Sequence, residues 1–277
     1  MLSVFEKFLK NEGKSENTIK SYIRHIKLYL KWFEDSFGSE FKKLYRENVL
    51  DYKSFLKNIK KDSAKTINVK LAALTKFNEF LIEQNIQNDI VVSKKDNIKI
   101  QSQGTNPTDI NKTDVEKFRQ IVLEKGSKRD YAIITLLAYS GLRISEALNL
   151  KLDDVNLAAK EILVRSGKGD KQRIVYINDK IVNAIKSYIR ERNSESSYLF
   201  VSRQSDKLNR TRVNQVFNKF SDKITPHKLR HFWCTHALEC GYSVHEVANQ
   251  AGHSNIHTTL IYTNPSKEKM KEKANLL

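Results

Sequence analysis

A mainly α chain with a small antiparallel β-sheet is the architecture this sequence predicts, split into a helical N-terminal domain and an α+β C-terminal domain. Three observations predict it. Apolar residues recur at helical spacing through most of the 277 residues. Two short alternating runs, Glu161–Arg165 and Arg173–Ile177, flank the turn-like SGKGDKQ. A polar stretch without periodicity, KKDNIKIQSQGTNPTDINKTD, carries Gly104 and Pro107 and separates two helical regions.

The N-terminal domain, residues 1–95, opens this reading. Ile19, Tyr22, Ile23, Ile26, Tyr29, Leu30 and Phe33 form an apolar stripe behind a capping candidate at Ser15. Beside it Lys20, Arg24, Lys27 and Lys31 are spaced four, three and four, so they share one helix face. Such a row is either a solvated face or a surface for a polyanion. Ile67, Leu71, Leu74, Phe77 and Leu81 write a second long helix. After a linker at 96–112, Thr113 with Glu116 reads as a capping box that opens the C-terminal domain, 113–277. Helices follow at 128–140 and 143–150, then the two strands. Further helices are expected at 178–192, 212–220, 226–240 and 244–251, with a short one ending near Tyr262 and a tail helix from about 266. In that tail Met270, Ala274 and Leu277 give a weak apolar face after Pro265.

Composition narrows the partner. The net charge is +17 and the isoelectric point about 9.6, which fits a polyanion, most simply nucleic acid. Residues 1–105 carry 20 Lys/Arg against 13 Asp/Glu, and the remainder 29 against 19, so both halves are basic. There is no 18-residue apolar run and MLSVFEKFLKNEG lacks a signal-peptide layout, so a cytoplasmic protein without membrane association is expected. Only Cys234 and Cys240 are present, so no disulfide framework is expected. His231, Cys234, His236 and Cys240 lie close in sequence but match no zinc spacing, so no metal is expected.

TPHKLRHFWCTH, residues 225–236, concentrates the chemistry. Thr225 suits an N-cap and Pro226 the first helical position. His227 and Arg230 then share a face near the helix start, where free N–H groups and the helix dipole favour an anion. Either a phosphate or carboxylate binds there, or the residues are solvated. Three more segments carry comparable chemistry. YSGLRISEALNLKLDDV holds Arg143 after a glycine and Glu146 one turn on. SGKGDKQR holds Lys168 on its turn. AGHSNIHTTLIYTN holds His253 after a glycine and Tyr262 nine residues later.

Together, and in this order, SGLRISE, GKG, HKLRH, GHS and IYT resemble the tyrosine recombinases, or phage integrase family, in their two-domain Xer-like form. The resemblance covers most of the chain and is strongest over 113–265. SENTIKSYIRHIKLYLKWF is similar to that family's core-binding domain. The resemblance implies a recombinase-type catalytic domain and a site-specific DNA recombinase. In it Tyr262 is the nucleophile that forms a 3′-phosphotyrosine, and Arg143 and Arg230 hold the scissile phosphate. His227 and His253 donate further hydrogen bonds, with His227 also assisting proton transfer, and Lys168 protonates the leaving 5′ oxygen. Glu146 orients Arg143 or His253 from behind. Strand exchange through a Holliday junction in a ring of four subunits is implied, with the two domains clamping double-stranded DNA and the tail docking on a neighbouring subunit. An accessory or partner recombinase is compatible with it; no cofactor is implied. Phe232 and Trp233 depart from the small or hydroxylic residues the family more often places there, which implies altered core packing rather than lost activity. The lack of an arm-binding domain leans toward resolution of dimers or transposon cointegrates over integration.

Chemistry independently favours this set. Breaking a phosphodiester without metal needs charge neutralisation on the non-bridging oxygens, an in-line nucleophile and an acid for the leaving oxygen. The fork of arginine matches phosphate. Each residue also fits a plainer role: Arg143 and Glu146 an i,i+3 ion pair, Lys168 a turn lysine, Tyr262 a core aromatic. Arg203, Lys207, Arg210 and Arg212 surround the start of a further helix and fit base or phosphate contacts equally. A type IB topoisomerase-like nicking-closing enzyme and a catalytically silent DNA-binding regulator are the rival readings.

Overall fold

The computed structural model describes residues 1–100, 109–165, 172–202, 204–253, 255–262, 271 and 274–275. The chain folds as two compact units, Met1–Gln103 and Gly104–Leu277. Residues 166–171 (Lys168 and all of the SGKGDKQ turn but its last residue), Arg203 and nearly all of the tail lie outside the described residues.

The first unit is helical. Its elements are α1 (Leu2–Asn11), α2 (Glu16–Phe37), α3 (Arg46–Ser54), a π turn at Phe55–Ile59, and α4 (Ala64–Glu83). Ser15 starts α2 by accepting from the Thr18 N–H, and Ser63 starts α4 by accepting from Thr66. Gly38 ends α2 at φ +62°, the left-handed conformation that glycine adopts without penalty. The apolar stripes meet in a core rich in aromatic rings. Tyr29 meets Tyr52 edge-on at 5.0 Å and Phe5 meets Phe77 edge-on at 5.1 Å. The chain after α4 is tied back by amides: Asn78 Oδ1 accepts from Val91 N at 2.8 Å and Asn68 Oδ1 from Ile98 N at 2.8 Å. α3 and the π turn have no clear stripe in the sequence; packing against the aromatic core settles them.

The second unit contains α5 (Lys112–Lys125), α6 (Lys128–Ser140) and α7 (Ile144–Asn149), then a sheet of β1 (Val155–Asn156), β2 (Glu161–Val164) and β3 (Arg173–Tyr176). It continues with α8 (Asp179–Ile189), α9 (Arg210–Phe220), α10 (Pro226–Glu239), α11 (Val244–Ala251) and α12 (His257–Leu260). The sheet is antiparallel in the order β1-β2-β3, with Ile162 opposite Val175 and Val164 opposite Arg173. Two-residue β1 is too short to register as an alternating run. The cap of α5 lies two residues earlier than the Thr113–Glu116 box expected. Asn111 accepts from Asp114 N at 2.9 Å, and Asp114 accepts from Asn111 N at 3.1 Å. Glu116 is drawn off instead by Arg119, Tyr139 and Lys180.

α6 is the central strut: Ala132 through Ala138 are all buried. α8 packs along it on one side and α10 on another. Trp233, Cys234 and Ala237 of α10 form a smaller apolar cluster with Val247 and Ala251 of α11, and Tyr262 packs on it.

Candidate functional site

Two glycine turns set the site. α6 ends at Gly141 (φ +71°), and the chain reverses into Arg143, the N-cap of α7. A Cβ on Gly141 would collide with the six-membered ring of Trp233. The indole therefore fills the space any other residue would need, which is where the unusual Trp233 finds its partner. α11 ends at Gly252 (φ +68°), and a Cβ there would lie 2.5 Å from Cζ of Arg173. His253 follows directly.

Arg230 comes from α10. That helix begins as the sequence predicts, with Thr225 accepting from Lys228 N at 3.3 Å and Pro226 at the first position. Arg230 is 7% exposed, and its Nη1 donates to the Gly141 carbonyl. Burial, and then the charge of Arg143, bring its pKa down to about 10, so it stays cationic at neutral pH.

Arg143 leans on Glu146. Its backbone N–H donates to Glu146 Oε2 at 2.8 Å and its Nη1 to Oε1 at 3.0 Å, while Nη2 donates to Gly252 O at 2.8 Å. Glu146 is 5% exposed and also receives Arg173, Nη1 to Oε1 and Nη2 to Oε2, both at 3.0 Å. Burial alone would raise this carboxyl. The bonds from Arg173 and the Arg143 N–H, with the charge of both arginines, outweigh it and hold the pKa below its ordinary value. Two guanidiniums thus share one carboxylate, and the buried Arg230 feels the charges of both Arg143 and Glu146, which leaves the group a net charge of two positive units.

A row of rings runs alongside. His227 and His231 share a hydrogen bond, Nε2 to Nε2, at 2.7 Å. The His231 ring lies 5.1 Å from Tyr262 and crosses it steeply. His253 lies 6.3 Å from Tyr262 on a near-parallel plane, and its Nδ1 bonds Thr259 Oγ1 at 2.7 Å. Burial first, then neighbouring charge, lowers His231 and His253 to a pKa of about 4. Both are neutral imidazoles at pH 7. Tyr262 packs on the apolar cluster that contains Cys234. Its pKa is pushed well above the ordinary phenol value by burial and then by Cys234, against an opposing pull from Arg230. Burial likewise pushes the Cys234 thiol up to about 11.

The structure therefore gathers Arg143, Glu146, His227, Arg230, His253 and Tyr262 at the junction of α7, α10, α11 and α12. Among the described residues no three His, Cys, Asp or Glu side chains converge on a possible metal position. None of the helices among the described residues is long and apolar enough to cross a membrane. Lys20, Arg24, Lys27 and Lys31 are all exposed along α2. Arg210 and Arg212 are exposed at the start of α9. Lys207 is half-buried, bonds Asn149 and lies over the Tyr198 ring at 5.3 Å.

Residues 108–269 match the phage integrase family, and residues 2–85 match the phage integrase N-terminal SAM-like domain. The chain belongs to the phage integrase family. It is a tyrosine-type site-specific recombinase. It is 54% identical to the TnP I resolvase of Bacillus thuringiensis, over 99% of this chain and 98% of that protein. It is 33% identical to the tyrosine recombinase XerA of Thermococcus kodakarensis, over 100% of this chain and 96% of that protein. The fold is also that of the XerH site-specific recombinase bound to palindromic difH substrate in a post-cleavage complex. That match has a TM-score of 0.76 at 24% identity, covering 99% of this chain and 84% of that one. The Tn1549 transposon integrase in complex with transposon right end DNA matches with a TM-score of 0.74 at 20% identity, covering 99% and 98%.

Three residues of this recombinase join the cluster although the motifs do not single them out. Arg173 reads in sequence only as the first residue of a strand. His231 closes the HKLRH motif one turn from His227, but in sequence it reads equally as a core or helix-start histidine. Cys234 reads in sequence only as a failed zinc ligand. Long-range contacts across 27 residues, as between Glu146 and Arg173, leave no trace in local periodicity.

Proposed function

We propose that this recombinase cuts and rejoins double-stranded DNA through Tyr262, and that the cluster around this tyrosine is its catalytic centre. The residues 1–95 act as the core-binding domain and 113–277 as the catalytic domain. The tyrosyl oxygen attacks the scissile phosphorus, the bond to the 5′ oxygen breaks, and a 3′-phosphotyrosine forms. The phenolic proton passes to a neutral imidazole and the leaving oxygen takes a proton from Lys168. Arg143 and Arg230 neutralise the non-bridging oxygens, and His227 and His253 donate to them. The observation that carries this reading is the net charge of two positive units on the Arg143, Arg173, Glu146 and Arg230 cluster, whose Arg230 acts on Tyr262. It complements the two negative charges of a pentacoordinate phosphoryl transition state better than the single charge of the ground state. Of the two partners open to Glu146, Arg143 or His253, the hydrogen bonds favour Arg143.

The exposed cations of α2 and of the α9 start, with Arg203 and Lys207, contact the duplex. Four copies assemble on paired sites, each docking its tail on a neighbour, and strands exchange through a Holliday junction in the cytoplasm. The 54% identity to a resolvase supports resolution as the biological task.

A covalent trap tests this. The protein is mixed with DNA from its native genetic surroundings, nicked so that the cleaved end diffuses away. Adducts that survive denaturation are expected from the wild type and not from Tyr262→Phe. Tight binding without an adduct in either protein would replace the proposal with a silent DNA-binding regulator.

A further inference from the structure

We propose that Arg173 is a positioning residue for phosphoryl transfer: it saturates Glu146 so that Arg143 keeps its remaining donors for the phosphate. The inference rests on the catalytic role of Tyr262 and its arginines and adds a residue to that set.

Hydrogen-bond accounting carries the argument. A carboxylate offers about four lone-pair positions. Glu146 Oε1 accepts from Nη1 of Arg143 and Nη1 of Arg173, and Oε2 accepts from the Arg143 backbone N–H and Nη2 of Arg173. All four are occupied, and Arg173 supplies two of them as a side-on fork. The Arg143 side chain is consequently left with one bond to the carboxylate and one to Gly252 O. Its charge is also left unspent, because Arg173 and Glu146 already neutralise one another. Remove Arg173, and a buried carboxylate has two empty positions with Arg143 as the cation in direct contact. Arg143 would then fork onto Glu146 and turn away from the phosphate.

A second observation points the same way. Arg173 also donates from Nε to Gln250 O at 3.2 Å and from Nη2 to Ala251 O at 3.2 Å, and its guanidinium lies against Gly252. It therefore fixes the end of α11 that delivers both His253 and the Gly252 carbonyl used by Arg143. A single side chain from β3 registers two separate phosphate-facing groups.

The test uses full-length protein, nicked DNA and two scissile groups, a phosphodiester and an uncharged methylphosphonate. For Arg173→Gln the single-turnover rate of adduct formation at saturating DNA is expected to fall about ten- to a hundredfold, with DNA affinity within about threefold of wild type. The deficit is expected to shrink on the methylphosphonate, whose transition state carries one negative charge fewer. A residue that only braced the fold would depress both substrates equally. Arg173→Lys keeps the charge without the fork and is expected to fall between the two. If Arg173→Gln fails to melt cooperatively, Arg173→Lys decides. A folded Arg173→Lys that matches wild type on both substrates overturns the proposal, as does an Arg173→Gln deficit that is equal on both. A wild type that forms no adduct with Tyr262 overturns the catalytic reading instead.

Discussion

The two units bury polar groups in opposite ways. The N-terminal unit keeps its chemistry outside. Its core is a mesh of rings, its buried polar residues are the amides Asn78 and Gln87, His25 and one carboxylate, Asp96, held by Arg46, and the four cations of α2 face solvent. The C-terminal unit draws Arg230, Glu146 and Arg119 inside, where each charge must be matched by fixed partners. Desolvation is costly, so a protein tolerates it where a preorganised field is needed. The contrast fits the proposed division, in which the first unit holds a polyanion and the second acts on it.

The sharpest way to break that assignment is Arg230→Ala. Adduct formation at saturating DNA is expected to drop about 10²–10³-fold, as for loss of one oxyanion donor, with much smaller change in affinity. Replacing Lys20, Arg24, Lys27 and Lys31 by Ala is expected to do the reverse. Affinity should weaken, and the slope of log affinity against log salt should flatten by about one for each phosphate no longer neutralised, with the rate at saturation unchanged. If both variants affect the same step, the division of labour is wrong.

A gentler pair compares two glycines with nearly equal φ. Gly38→Ala places its methyl in open space at the end of α2 and should cost about 1 kcal/mol, the left-handed penalty alone. Gly141→Ala meets the Trp233 ring as well and should cost about 3 kcal/mol. Chemical denaturation of each variant reads the difference.

The smallest expected effect is on the acid side. The folded pKa of His231 and of His253 is about 4, against an ordinary value of 6.5. Between those values the unfolded chain binds protons that the folded chain refuses. Stability contributed by the neutral rings is thus complete above 6.5 and is lost as pH falls toward 4. His25, in the other unit, is also lowered by its burial. Bound DNA should relieve part of the loss at His231 and His253, because phosphate offsets the arginine charge that adds to burial in depressing them, and should leave His25 untouched. Melting curves against pH, with and without DNA, test this.

Much of this architecture is legible in the sequence. The α2 and α4 stripes, the 128–140 helix and the paired strands are periodic signals, and the TPHKLRH start is local capping chemistry. What escapes is set by tertiary contact. The α5 cap moves to Asn111 because Glu116 serves a network with Arg119, Tyr139 and Lys180. The π turn at Phe55–Ile59 answers to core packing. In the site, the motif residues announce themselves by type and order, whereas Arg173 and Cys234 matter only through what lies against them.

The imidazole pair at the start of α10 has a further consequence. Two Nε2 atoms 2.7 Å apart can hold one hydrogen between them and not two. While that bridge stands, one ring spends its Nε2 proton on its neighbour and the other offers only a lone pair. On the proposed reading of His227 as a phosphate donor, a phosphate oxygen would meet this pair as a rival acceptor for the one shared hydrogen.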